Sequence, residues 1–473
     1  MLGTRWKVAI AVLLGIGAIG CGSSGHGKQG ADAGNPGAGG SVGSWIGRTC
    51  SYLEGTWAGN EMDPNGANQG PITMVVHDDQ VAVNESVYNA SLESYTLTAA
   101  CKDSVTPNQI TGTIMASIDP EDVGQPFYAI YELDTTTRTG RLSGLKPGAT
   151  AFPTTFAAGN GQRLFVFTGW IHQSAELGQQ DWRSVASSAD GTKLVAVTND
   201  FIAGGYTFTS ADSGASWQQQ TSTQQRWESV ASSADGTKLV AATSPGYIYV
   251  SADSGVTWTQ TGAQQYWSSL ASSADGTNLV AVSNDFPGGG YIYTSADSGA
   301  TWTQQTSTQQ HWQSVASSVD GTKLVAVSSG GVVAFTGHIH TSADSGATWT
   351  QTGTQQYWQA VASSADGTKL VAVVFTDSSG AGGYIYTSAD SGVTWTQRGT
   401  SQQWVSVASS ADGTKLVAVA LTGYIYTSAD SGATWTQTGA QELWNSVASS
   451  ADGTKLVAVA YGDYIYTYSS PVP

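Results

Sequence analysis

Short runs of alternating apolar and polar residues recur along the C-terminal two thirds of the chain. Each repeat carries four such runs, namely W-x-S-V-A-S, K-L-V-A-V, a run around Y-I-Y, and A-T-W-T-Q. Alternation with a period of two is typical of strands that bury one face. The pattern therefore predicts four short strands per repeat, for example at residues 182–187 and 193–197, at the Y-I-Y of 247–249, and at A-T-W-T-Q itself.

The first run occurs seven times, and its tryptophans are 40 to 46 residues apart. These residues are Trp182, Trp227, Trp267, Trp312, Trp358, Trp404 and Trp444. A period of this length with four strands in each copy is the pattern of β-propeller blades. We therefore predict an all-β fold with a seven-bladed β-propeller over residues 163–473.

The seventh copy ends early, after three predicted strands and Pro471-Val472-Pro473. Residues 165–174 alternate in the same way and lie just upstream of the first copy. We expect this segment to supply the fourth strand of the seventh blade. A ring closed by strands from both ends leaves no sheet edge exposed to aggregation.

Residues 1–21 have the pattern of an export signal. Arg5 and Lys7 precede 12 apolar residues, which is too short a run to span a membrane. The run ends in A-I-G-C, which resembles the lipobox of bacterial lipoproteins and implies that Cys21 is lipidated. Cleavage after a small residue without lipidation is the alternative. The resemblance implies an exported protein anchored in the cell envelope, at the outer membrane, only through this lipid.

Two segments separate the signal from the repeats. Residues 22–44 are rich in glycine, serine and alanine, which predicts a flexible tether. Residues 45–162 contain seven alternating runs divided by turn residues, which predicts a small antiparallel barrel or sandwich. Its opening G-T-W is similar to the first strand of lipocalin-like barrels. In an exported protein the remaining cysteines, Cys50 and Cys101, are expected to form a disulfide.

The excess of acidic residues limits the kinds of partner that the protein can bind. The net charge is −17 and the pI is about 4.5, so the surface repels phosphate backbones and nucleic acid is not expected to bind. No phosphate-binding loop, nucleophile elbow or zinc motif occurs, so we predict no cofactor, no metal and no catalytic residue.

The motif S-x-D-x-G-x-T-W, with one serine variant, occurs six times between the third and fourth runs and resembles the Asp-box, or BNR repeat, of sialidases and related propellers. The resemblance covers about 300 residues and implies a sialidase-like superfamily fold in which the motif is structural. We call these segments the Asp-box-like turns; their aspartates are Asp212, Asp253, Asp297, Asp344, Asp390 and Asp430. Turn chemistry accounts for these residue types, and a calcium site is the alternative.

Sialidase chemistry is not expected. The family needs three arginines, a tyrosine nucleophile with a supporting glutamate, an aspartate acid, and an F/Y-R-I-P motif, and that motif is absent. Arg183, Arg226 and Glu228 could meet near the channel mouth, but that group lacks the motif context of the family. His338 and His340 replace the Y-I-Y tyrosines of the fourth repeat and share one strand face. We interpret them as a packing substitution, with a metal site as the alternative.

The repeats differ most in the loops between second and third strands and in the residue before each repeat tryptophan. Up-and-down connectivity places both on one face, around the channel mouth, where function concentrates on a rigid scaffold. Unconstrained loop drift is the alternative. The predicted ligand-binding residues are Asp181, Arg226, Tyr266, His311, Tyr357, Phe201, Phe286, Phe335, Phe375 and Asp463.

Three functions follow from this organisation. The favoured one is a non-catalytic envelope protein that binds a glycan or an envelope or extracellular protein through the variable residues. The second is a glycoside hydrolase with an unrecognised acid pair. The third is a structural or assembly scaffold, as in photosystem assembly-factor propellers that share Asp-box-like repeats.

Overall fold

A computed structural model describes residues 55–469 with gaps. The gaps are residues 63–67, 78–79, 87–91, 103–107, 118–124, 135–138, 146–161, 174–176, 178, 201–202, 221–223, 286, 306–308, 331–336 and 377–381. The predictions for the signal, the tether, Cys21, Cys50, Phe201, Phe286 and Phe335 lie outside the described residues. Cys101 lies in a strand whose side chains are not described.

The described residues form strands and no helix, so the fold is all-β. None of them forms a helix long and apolar enough to cross a membrane. The first eight strands are β1 Gly55–Met62, β2 Asn68–His77, β3 Gln80–Ser86, β4 Leu92–Lys102, β5 Asn108–Ser117, β6 Pro126–Asp134, β7 Thr139–Leu145 and β8 Gln162–Gln173. Each pairs antiparallel with the next, and β8 also pairs with β1. Each of the seven alternating runs of this region overlaps one of the strands β1 to β7.

The remaining strands follow the repeats. The first sheet holds β9 Gln180–Ser187, β10 Leu194–Thr198, β11 Thr207–Ser210 and β12 Gln218–Gln219; the second holds β13 Trp227–Ser232, β14 Leu239–Thr243, β15 Gly246–Ser251 and β16 Thr259–Gln265. The third holds β17 Trp267–Ser272, β18 Leu279–Ser283, β19 Ile292–Ser295 and β20 Thr303–Gln304; the fourth holds β21 Trp312–Ser317, β22 Leu324–Ser328, β23 Gly337–Ser342 and β24 Thr350–Gln356.

The same order continues to the C-terminus. The fifth sheet holds β25 Trp358–Ser363, β26 Leu370–Val374, β27 Gly383–Ser388 and β28 Thr396–Gln402; the sixth holds β29 Trp404–Ser409, β30 Leu416–Ala420, β31 Gly423–Ser428 and β32 Thr436–Glu442. The seventh holds β33 Trp444–Ser449, β34 Lys455–Asp463 and β35 Ile465–Ser469. Within each sheet the strands pair antiparallel in chain order.

Strand β8 is shared by two sets of strands. Its residues 164–170 pair with β1, and its residues 171–173 pair with β35 in the register Ile171↔Thr467, His172↔Tyr466 and Gln173↔Ile465. The expected pairing with the third strand of the seventh repeat is therefore present for residues 171–173, whereas the preceding residues of the segment pair with β1. The end of β34 also pairs with β9, at Tyr461↔Asp181 and Asp463↔Gln180.

The fourth strands begin later than predicted. We expected A-T-W-T-Q to be the strand, but β16 begins at Thr259, after Trp258. The reason is the preceding turn, in which the Asp253 carboxylate accepts hydrogen bonds from the backbone N–H and the hydroxyl of Thr257. These bonds hold Thr257 in the turn, so strand geometry starts only beyond Trp258.

The core lies between neighbouring sheets. The seven repeat tryptophans are at most 1 % exposed, and each meets an aromatic ring of the third strand in its own sheet at 4.9 to 5.2 Å between centroids. Around Trp267, Val240 and Ile248 of the second sheet pack against Leu270 and Leu279 of the third. Each sheet thus completes the core of its neighbour, as repeat architectures require.

A set of serine hydroxyls links the first strands around the ring. Each of these serines lies two residues after a repeat tryptophan. Its Oγ accepts the backbone N–H of a residue in the first strand of the following sheet at 3.2 to 3.3 Å, as Ser184 does from Val230. The last of these bonds, from Val185 to Ser446, joins the seventh sheet to the first. Ala360 takes the serine position in the fifth sheet.

Candidate functional site

The positions that vary most between repeats lie on the same face. They are the loops after the second strands and the residues before the repeat tryptophans. Backbone hydrogen bonds join the residue after each second strand to the residue before the repeat tryptophan, as in Asn284 N–H to the Tyr266 carbonyl at 2.8 Å. Equivalent bonds occur in all seven repeats; in the seventh the donor is Tyr461, which lies inside the longer β34 and donates to the Leu443 carbonyl. We call this face, with the loops after the second strands and the residues before the tryptophans, the variable face.

The opposite face, which we call the turn face, holds the A-D-G-T and Asp-box-like turns. In the third repeat the two turns meet through Ser298 N–H and the Thr277 carbonyl, 2.9 Å apart. Asp297 accepts bonds from Thr301 N–H at 2.9 Å and from the hydroxyls of Thr301 and Ser295 at 2.6 and 2.8 Å. The hydroxyl of Thr301, first among these donors, lowers the pKa of Asp297 to about 2.

The same bonds recur at Asp212, Asp253, Asp344, Asp390 and Asp430. The serine after each of these aspartates has a positive φ of 57 to 61°. Their carboxylate oxygens are therefore occupied by the turn itself.

Clefts between neighbouring sheets open on the turn face. Three equivalent ones, between the second and third, third and fourth, and fourth and fifth sheets, have volumes of about 190, 300 and 230 Å³. The largest has Asn278 where the other two have Lys238 and Lys323. The largest of these three clefts is thus the one lined by the shorter asparagine side chain.

On the variable face, the predicted residues are displayed at different depths. Tyr266 is 52 % exposed, and Arg226 is also exposed. Half-buried Tyr357 lies against Phe375, with ring centroids 6.0 Å apart. His311 Nδ1 lies 2.9 Å from Asn284 Oδ1, a contact between a predicted residue and a neighbouring loop.

Arg183 and Glu228 form an ion pair between the first and second sheets. Both follow a repeat tryptophan, on the innermost strand of their sheet. The Glu228 carboxylate raises the pKa of Arg183 above its ordinary value, and partial burial opposes it. The sequence had suggested that these two residues meet, and they do.

Asp181, Asp200 and Tyr461 form one acidic cluster where the seventh sheet meets the first. Tyr461 is paired with Asp181 in the backbone register and is 51 % exposed. Burial and the nearby Asp200 charge raise the pKa of Asp181, while its bond to the Tyr461 side chain lowers it. Burial, then Asp181 and Asp200, raise the pKa of Tyr461.

Asp463 belongs to a second group, with Glu442 and Tyr466. The Tyr466 hydroxyl donates to Asp463 Oδ2 at 2.7 Å, and the Trp182 Nε1–H donates to the Asp463 carbonyl at 3.0 Å. The Glu442 carboxyl lies beside Asp463 and Tyr466 and interacts with both. Burial, followed by the Asp463 charge and the bond to Asp463, raises the pKa of Glu442 to about 7.

Sequence reasoning singled out Asp463 but not Glu442, although the repeats carry a signal for both. Two residues before the repeat tryptophan, six repeats have glutamine and the seventh has Glu442. Just before the third-strand aromatic pair, six repeats have glycine and the seventh has Asp463. Aligning the copies position by position would therefore have marked both carboxyls.

His338 and His340 occupy the two tyrosine positions of the fourth sheet. His340 is 8 % exposed, packs edge-on against Trp312 at 5.0 Å as the tyrosines do, and burial lowers its pKa to about 4. His338 Nδ1 lies 3.0 Å from Gln351 Nε2. Among the described residues, no group of three or more histidine, cysteine or acidic side chains is placed to hold a metal.

No family model matches the chain, and no curated protein matches it in sequence. Among solved structures, the Kuenenia stuttgartiensis hydrazine synthase is 13 % identical, with a TM-score of 0.52 over 64 % of this chain and 99 % of that one. Two other matches each cover 64 % of this chain: YCF48 from Cyanidioschyzon merolae and YCF48 bound to D1 peptide. They are 15 and 17 % identical over 98 and 96 % of their own lengths, both with a TM-score of 0.48.

The fold is a β-propeller. The repeated four-stranded antiparallel sheets and the likeness to hydrazine synthase support this statement, and at 13 % identity that likeness concerns the fold alone.

Proposed function

We propose that this protein is a non-catalytic binding protein that recognises a glycan or a protein partner through its variable face. One observation carries the proposal. An identical backbone hydrogen bond presents a different side chain in almost every repeat, whereas the turn face repeats the same residues. The seven presented residues are Asp181, Arg226, Tyr266, His311, Tyr357, Gln403 and Leu443.

The chemistry of these positions suits recognition. Exposed tyrosines offer a flat apolar ring with a polar end, and tyrosine and arginine dominate the energetics of many interfaces. Tyr266 and Arg226 are the exposed members, and Tyr357 with Phe375 forms an aromatic pair nearby. A rigid scaffold holds them, so little ordering entropy opposes binding.

We further propose a seven-bladed propeller of the Asp-box, sialidase-like class, closed by strands from both ends and preceded by a small β-barrel. The cyclic contacts of the first strands, from β9 through β33 and back to β9, support the blade number. The cycle of pairings from β1 to β8 supports the barrel. The sequence of residues 1–44 supports export and a lipid anchor at Cys21 in the outer membrane.

A glycoside hydrolase is the second candidate because Glu442 and Asp463 lie together on the variable face. Retaining and inverting glycosidases hold their two carboxyls about 5 Å or more apart, so that substrate or water fits between them. Glu442 and Asp463 instead contact each other directly, and Tyr466 occupies a further oxygen. This arrangement favours a structural pair over a catalytic one.

Binding of the full chain to an array of glycans and to extracellular proteins tests the proposal. We expect a hit that Tyr266→Ala and Tyr357→Ala each weaken at least tenfold. Val256→Ala and Val393→Ala are matched controls, since these side chains are exposed by 59 and 74 % on the turn face, and they should leave binding unchanged.

Mass spectrometry of each bound glycan separates the alternatives. A cleaved product would replace the binding proposal with the hydrolase. Binding lost in the turn-face controls but retained in the tyrosine variants would place recognition on the opposite face.

A further inference from the structure

The seventh sheet departs from the other six at two positions that contact each other. In three junctions, a glutamine at the end of one sheet donates its amide N–H to a tyrosine hydroxyl of the next sheet, as Gln265 does to Tyr293 at 3.2 Å. At the junction of the sixth and seventh sheets, Glu442 takes the glutamine position and Tyr466 the tyrosine position. A carboxylate cannot donate a hydrogen bond, whereas a protonated carboxyl can.

The second departure required a change of backbone. A Cβ on Gly290 would lie 2.1 Å from the Ser283 carbonyl oxygen, so an aspartate is excluded there. In the seventh repeat, β34 is nine residues long instead of five, and its end pairs with β9. This route gives the Asp463 side chain room beside Tyr466, so the carboxyl pair depends on a rerouted strand.

These residues lie where the ring closes. Tyr466 is the middle residue of the three in β35 that pair with β8, and the Asp463 carbonyl receives Trp182 of the first sheet. The group therefore touches the sixth, seventh and first sheets. Tyr464, on the same sheet, is a further titratable neighbour, and β8 places the backbone of His172 opposite Tyr466 in register.

We propose that Glu442, Asp463 and Tyr466 form a proton-held latch that fastens the closing sheet of the propeller and loosens when Glu442 loses its proton. With the proton present, Glu442 supplies the donor that glutamine supplies elsewhere. Without it, two carboxylates face each other in partly buried surroundings, and like charges at contact repel. The latch is thus closed in acid and loosened at neutral pH and above.

The sign of the pH dependence follows from the raised pKa of Glu442. Its pKa moves from an ordinary 4.5 to about 7, so the folded protein holds the proton longer than the opened form does. The equilibrium constant for opening β35 should then rise with pH between about 4.5 and 7, by at most about tenfold per pH unit, and level off above.

Hydrogen exchange of the β35 backbone in the full chain, corrected for intrinsic exchange between pH 5 and 9, measures this opening. Glu442→Gln restores the residue of the other six repeats, keeps the donor and cannot titrate, so we expect its opening constant to lose the rise. Asp463→Asn removes the neighbouring charge and should move the rise to lower pH.

Gln402→Glu is the matched control, since it places a glutamate at the preceding junction, where Gly423 stands in place of Asp463. It should alter exchange in β31 and leave β35 unchanged. An identical pH dependence in the wild type and Glu442→Gln would overturn the latch, as would an unmoved rise in Asp463→Asn. None of these readouts requires a ligand, so they are independent of the proposed binding function.

Discussion

His340 provides a test of packing and ionisation together, through the substitution His340→Tyr. Five sheets have tyrosine at this position, with the same edge-on contact to the repeat tryptophan. We therefore expect the fourth sheet to accommodate the larger ring as well. Among the described side chains, His340 Nε2 is buried without a hydrogen-bond partner. A tyrosine hydroxyl would instead be near Gln351, which lies opposite in register. Relief of the unpartnered atom should stabilise the fold by about 1–3 kcal/mol at pH 7.

Acid should enlarge this difference. The unfolded chain binds a proton at His340 below pH 6.5, while the folded protein, with a pKa of about 4, does not. Stability is therefore lost as pH falls from 6.5 to 4, and the shift corresponds to about 3 kcal/mol. The His340→Tyr variant lacks this loss. The difference in free energy of unfolding between the variant and the wild type should therefore grow by about that amount as the pH falls.

Urea unfolding at pH 7 and pH 4 measures the change. His338→Tyr is the matched control, two residues away on the same strand, half-buried and already in contact with Gln351. It removes only the His338 charge, which is the smaller of the two causes that lower the pKa of His340. The stability difference between His338→Tyr and the wild type should therefore change little between pH 7 and pH 4. An equal advantage of His340→Tyr at both pH values would refute the reasoning.

Three further predictions concern the scaffold. Ala360→Ser should complete the set of serine hydroxyls by accepting the Val407 N–H, and should raise the free energy of unfolding by about 1 kcal/mol in urea titration; no change would mean that these bonds add nothing. Gly299→Ala should destabilise more than Gly262→Ala, by about 1–3 kcal/mol in the same assay, because both have positive φ but only the first Cβ meets an atom at 2.7 Å, in Val250, rather than 3.5 Å. Because hydrogen bonds hold the pKa of several turn aspartates at about 2, the His340→Tyr variant, which lacks the loss of stability at His340, should still lose stability in circular dichroism as pH falls from about 4 towards 2; unchanged stability across that range would contradict this.

The repeating part of the fold was readable from sequence because local and global signals agree. In the third repeat, for example, the first strand begins at the buried Trp267. The run L-V-A-V of the second strand is buried throughout, as expected for strands covered on both faces. The start of the fourth strand was misplaced because propensity alone favours A-T-W-T-Q. The side chain of Asp253, through Thr257, decides where that strand begins.

The candidate site was only partly readable. Asp463 and Tyr357 were singled out because they belong to positions that differ among near-identical repeats. Glu442 lies on a regular strand and differs from its counterparts by one functional group, so pattern reasoning passed over it. Its significance depends on the position of Asp463, which in turn depends on the pairing of β34 with β9. In that pairing Asp463 lies opposite Gln180, 283 positions away, and no local rule predicts such a contact.

The strand shared between the first eight strands and the seventh sheet has a consequence for how the chain reaches its native state. Ile171 and Thr467 are neighbours in the sheet yet lie nearly 300 residues apart. Bringing the ends of such a loop together costs roughly 5 kcal/mol of chain entropy, and contacts this distant form slowly. Individual sheets can form from local hairpins, whereas the last one must wait until the whole polypeptide is available. Until β35 has been made, residues 171–173 of β8 therefore lack their partner strand, whereas the rest of β8 can already pair with β1 and β7.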